Sequence, residues 1–101
     1  MERDKNLIYV ILDYFWNHSD PGCLSIIDEK CFDSGKFLNQ NLKTVASHFD
    51  VARRGGLVDG EIKLDNASSD YKPIIDYHGM TLKGFEFMEQ MELQMNRSMS
   101  R

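Results

Sequence analysis

A chain of 101 residues with 42% hydrophobic and 28% charged content is that of one globular domain able to bury its own core. Its net charge of −4 at pH 7 is opposite to that of most nucleic-acid binders, whose phosphate contacts demand a basic face, so the distribution of charge matters more than its sum. No run of about 18 apolar residues marks a membrane span, and the opening MERDKN lacks the apolar core of a signal peptide, so a cytoplasmic protein is expected.

The first predicted element is a helix over about 5–17, capped by Asp4. Leu7, Ile8, Ile11, Tyr14 and Phe15 recur at helical spacing, and Val10 and Trp16 widen the stripe. His18-Ser19-Asp20-Pro21-Gly22 ends it, and Cys23–Ile27 suits a short strand. Residues 28–35 read as a loop, after which Ser34 is placed to cap a short second helix carrying Phe37 and Leu38.

The third helix, 41–54, has the clearest pattern. Leu42, Val45, Ala46, Phe49 and Ala52 share one face, with Lys43, Ser47, Val51 and Arg54 opposite and Thr44 and His48 beside them. Arg53 and Arg54 suit the negative end of the helix dipole, and Gly55-Gly56 supplies a left-handed stop. Leu57-Val58 opens a strand that Ile62 and Leu64 continue past a bend at Gly60. A polar turn, Asp65–Asp70, leads to a partner strand over Pro73–Tyr77, with Pro73 suited to an edge.

Thr81 caps a fourth helix running to about Asn96, and 97–101 is expected to be a flexible tail beyond a domain of 1–96. Its apolar residues Leu82, Phe85, Phe87, Met88, Met91, Leu93 and Met95 go most of the way round, which implies two neighbours. A homodimer packed through Phe85, Met88, Met91 and Met95 is the expectation. The whole order (helix, short strand, helix, helix, two-stranded wing, helix) is α+β and is that of a winged helix-turn-helix.

Two cysteines, Cys23 and Cys31, make no disulfide framework, and no CxxC, HxxxH or HExxH pair offers a zinc site. Glu86, Glu89 and Glu92 form one stripe without a histidine, His78 has no nucleophile motif, and Gly55-Gly56 is not a phosphate loop. Neither a cofactor, a metal nor an enzyme activity is expected.

Charge is segregated along the chain. Residues 1–33 carry three cations against seven acids, 34–60 four against two, and 61–101 five against seven. The positive excess falls on the helix-turn-helix. There Lys43, Thr44, Ser47, His48 and Arg54 are the candidates for contacting phosphates and base edges, or a protein partner, with His48 more often a flank residue packed beside Phe49. The wing offers Asp65, Asn66, Ser68, Asp70 and then Lys72, an acidic tip where Arg or Lys would serve DNA better.

His48-Phe49, Ala52 and Gly56-Leu57-Val58 together are similar to the H-L-x-x-L-x-x-x-G-L-V pattern of winged-helix regulators, and Thr81-Leu82-Lys83-Gly84 to the TxxG opening of their last helix. With Arg3-Asp4-x-x-Leu7-Ile8, the chain resembles a small phage and prophage family of winged-helix proteins. The resemblance implies that the helix carrying His48 is a recognition helix and that Gly56-Leu57-Val58 leads into the wing. The chain departs in carrying Asp50 where members tend to have a basic residue, and the smaller Ala52 in place of Leu.

Two functions follow as expectations. One is a homodimeric DNA-binding transcriptional regulator that places helix 41–54 in the major groove of double-stranded DNA. The other is an acidic winged-helix protein that docks on a basic protein surface, such as a phage inhibitor of a host nucleic-acid-binding complex.

Overall fold

The structure, a computed structural model, describes residues 5–18, 26–30, 32–64 and 72–99, and of His18 and 95–99 only their place in a helix. Helix α1 spans Lys5–His18, strand β1 Ile26–Ile27, helix α2 Leu42–Arg54, strand β2 Val58–Leu64, strand β3 Pro73–Met80 and helix α3 Leu82–Met99. The fold is α+β, with three helices among the described residues and a three-stranded antiparallel sheet in the order β1-β3-β2. Among the described residues, no helix is long and apolar enough to cross a membrane.

The expected second helix is reduced to a single 3-10 turn, Ser34–Lys36, so the expected third helix is α2 and the fourth α3. Asp33 rather than Ser34 caps the turn, its carboxylate accepting from the Gly35 amide at 3.0 Å. Leu38 and Asn39 then adopt φ of 55° and 59°, left-handed values that stop any helix. Phe37 is still buried, stacked on Phe32 and tilted against Tyr14.

Helix α1 buries Leu7, Ile8, Ile11, Leu12 and Phe15, while Trp16 is turned out to the flank rather than widening the stripe. The whole predicted face of α2 is buried, and Asn41 is its N-cap, Oδ1 accepting from the Thr44 amide at 2.8 Å. Phe15 sits between the two other layers: its ring stacks on Tyr77 of β3 at 4.7 Å and meets Phe49 of α2 edge-on at 5.6 Å.

Gly56 takes φ of 79°, and the Leu57 amide bonds back to the Ala52 carbonyl at 2.9 Å, turning the chain sharply from α2 into β2. The start of α3 is fastened onto that turn. The Thr81 hydroxyl donates to the Gly56 carbonyl at 2.5 Å and accepts from the Gly84 amide at 3.0 Å. A Cβ at Gly84 would run into the Leu57 carbonyl, so the TxxG spacing is a close backbone approach as well as a cap. The helix it opens runs on to Met99, past the expected end at Asn96.

β2 pairs with β3 from Val58↔Met80 to Leu64↔Pro73, with a register irregularity at Asp59/Gly60 that leaves His78 as the extra residue on β3. Gly60 lies under the Phe49 ring and the Asp76 carbonyl, where a Cβ has no room. β3 is the central strand, not an edge. Pro73 is tolerated because β1 pairs only with Ile75 and Asp76, which leaves β3 a neighbour on one side at that point.

Gly84→Ala should therefore cost about 3 kcal/mol in denaturant unfolding, and Thr81→Ala about 1 kcal/mol. Gly79→Ala, whose added Cβ meets nothing within 4 Å, should stay within about 0.5 kcal/mol of the parent protein.

Candidate functional site

Because its opposite face is committed to the core, α2 presents Lys43, Ser47 and Arg54 outward, with Thr44 half-buried beside them. Asp50 lies among them at the spacing that lets one carboxylate reach two arginines, three and four residues on. Its Oδ1 takes Arg53 Nη2 at 2.6 Å and its Oδ2 takes Arg54 Nε at 2.9 Å. Arg53 Nε is buried without a hydrogen-bond partner, so that guanidinium is held by one corner. The helix thus carries a carboxylate clamped between two guanidinium groups, the arrangement a phosphate oxygen would also satisfy.

A cleft of about 510 Å³ separates this helix from the hairpin. Lys43, Asp50, Arg53 and Arg54 line one wall with Ala46 and Ser47, and Ile62, Leu64 and Pro73 form the other. A second cleft of about 300 Å³ adjoins it at Lys43 and Pro73, and adds Lys72 and Glu29. Lys72 Nζ stands 3.8 Å from Glu29 Oε1. The two clefts together bring Lys43, Arg53, Arg54 and Lys72 to one side of the molecule against Asp50 and Glu29. On a chain of net charge −4, that side is locally positive.

Lys63 and His78 of the hairpin stand elsewhere. Lys63 lies 3.4 Å and His78 3.2 Å from Asp76 Oδ2, a surface cluster outside both clefts. Among the described residues, no group of three or more His, Cys, Asp or Glu is placed to hold a metal ion. Cys23 and Cys31 lie outside the described residues.

Of the sequence-predicted residues, Lys43, Ser47 and Arg54 share one exposed face, and Lys72 lines the adjoining cleft together with Lys43. His48 does not join them. It is 4% exposed, packed on the core side, with Nδ1 2.8 Å from the Thr44 carbonyl. A carbonyl only accepts, so Nδ1 carries the proton. Asp65, Asn66, Ser68 and Asp70, expected to form a wing, lie outside the described residues. Met88 and Met91, assigned to a dimer interface, are 6% and 7% exposed within the single chain, and Met88 packs into the core. The Met95 side chain lies outside what is described, and Phe85 is partly exposed.

The sequence reading missed Asp50 as an arginine clamp, although its i, i+3 and i, i+4 spacing to Arg53 and Arg54 was there to find. It also missed Ile62, Leu64 and Pro73 as the far wall, which only the hairpin's register brings opposite α2. No family model, curated protein or solved structure matches this chain.

Burial gives His48 a structural role: His48→Ala should lower stability by about 2 kcal/mol in thermal unfolding. The same measurement on Ser47→Ala should show a change within about 0.5 kcal/mol.

Proposed function

We propose that the domain is a winged helix-turn-helix that binds double-stranded DNA through the exposed face of α2, as a non-enzymatic regulator of phage or mobile-element type. The observation that carries this reading is the gathering of Lys43, Arg53, Arg54 and Lys72 on one side of an otherwise acidic chain. The element order supports it, with a helix projected between a short strand and a two-stranded hairpin and a final helix behind. Lys43 and Arg54 serve phosphates, Ser47 approaches a base edge or the backbone, and Asp50 yields its arginines to the incoming phosphate.

A protein partner is the second reading, and one observation favours it. Asp50 already holds both arginines, which lowers the positive charge the face offers to DNA.

Fluorescence anisotropy with random duplex DNA tests the first reading. With three cations on phosphates, affinity should fall roughly fortyfold between about 50 and about 200 mM salt. Lys43→Glu with Arg54→Glu should abolish binding, and Asp50→Asn should tighten it by about threefold or more. Absence of binding at low salt, or binding indifferent to these three positions, would remove DNA as the ligand of α2.

A further inference from the structure

The α1–α3 side of the molecule carries a different chemistry. The chain's single tryptophan, Trp16, is 54% exposed at the end of α1. Its ring meets Phe85 of α3 edge-on at 4.8 Å, and Phe85 is itself 39% exposed. An exposed aromatic pair of this kind is unusual on a surface that meets only water, since each ring removes a large apolar area when covered.

The two helices pack together. From the Trp16–Phe85 pair the seam runs back along α1 to Tyr9, two turns away, and forward along α3 to Glu92. Asp13 lies one turn on from Tyr9 along the same face of α1, and the Tyr9 hydroxyl has its pKa raised, first by burial and then by the carboxylates of Glu92 and Asp13. Glu89, exposed, lies one turn from Phe85 on the same flank. Among the described residues, Lys5 stands at the far end of the same α1 stripe, a single cation against Asp13, Glu89 and Glu92. None of these residues lines the clefts beside α2.

We propose that the α1–α3 seam is a second interaction surface, which docks a basic, apolar-bearing segment of a partner protein. Trp16 and Phe85 take an aliphatic side chain or the face of an arginine, and Asp13, Glu89 and Glu92 pair with the flanking cations. Charge complementarity chooses this occupant. DNA and anionic membranes meet three carboxylates with their own negative charge. A second copy of the chain, related by a two-fold axis, would set the same acids against each other. The seam stands apart from α2, so failure at either surface leaves the reading of the other intact.

Because Trp16 is the only tryptophan, its emission reports on this surface alone. The probe is a synthetic amphipathic helix with arginines on one face and leucines on the other, titrated against the whole protein. A saturable change in Trp16 emission is expected, weakening with salt. A variant combining Asp13→Asn, Glu89→Gln and Glu92→Gln should bind roughly tenfold more weakly. Phe85→Ala should also weaken binding, through lost packing rather than charge. An unchanged emission up to about millimolar peptide would overturn the proposal, as would an equal response to the same peptide with glutamine for arginine. Sedimentation equilibrium adds a third outcome: self-association strengthened by the triple variant would assign the seam to a second copy, against the proposal.

Discussion

The ring of Phe15 holds the molecule's three layers at fixed distances. It stacks on Tyr77 of the central strand and takes the edge of Phe49 from α2, so one α1 side chain positions both the sheet and the second helix. Aromatic contacts of this kind add about 1 kcal/mol each beyond the area they bury. Their larger effect is geometric. With Phe49 fixed, Val45, Ala46 and Ala52 can only face inward, and the opposite face of α2 is turned outward without freedom to rotate. Gly60 completes the arrangement by letting β2 pass directly under the Phe49 ring.

The connection between α2 and α3 rests on backbone rather than side-chain packing. Gly56 reverses the chain, Thr81 spans from its carbonyl to the Gly84 amide, and Gly84 lies too close to the Leu57 carbonyl for any larger residue. Two motifs that are 25 residues apart in the sequence are thus one structural joint. The joint fixes where β2 leaves α2, and hence where Ile62 and Leu64 stand across the cleft from Lys43 and Arg54.

Elements with a strong period or a decisive glycine were legible in the sequence. The α2 face, its Gly-Gly stop and the Thr81 cap all follow from local rules. The segment 34–40 was not legible, because Leu38 and Asn39 adopt left-handed angles that ordinarily call for glycine, and Phe37 is buried without a helix to carry it. The α3 methionines were legible only in part. A helix apolar on several sides signals burial but not by what, and here Met88 and Met91 are covered by the chain itself while Phe85 finds Trp16. His48, read both as a surface contact and as a residue packed beside Phe49, is the packed one, since one position round the helix separates the two. The candidate site was readable in its cations and not in the carboxylate that holds two of them.

The molecule consequently has two faces of opposite character on one frame. Lys43, Arg53, Arg54 and Lys72 gather beside α2, and Trp16 and Phe85 sit with acids along the α1–α3 seam. Amide chemical-shift mapping during titration with duplex DNA tests the division most directly. Shifts should be concentrated at Lys43, Ser47, Arg54 and Lys72, with the Trp16 indole and the amides of Glu89 and Glu92 unmoved. Shifts centred on the seam, or spread evenly over both faces, would contradict it.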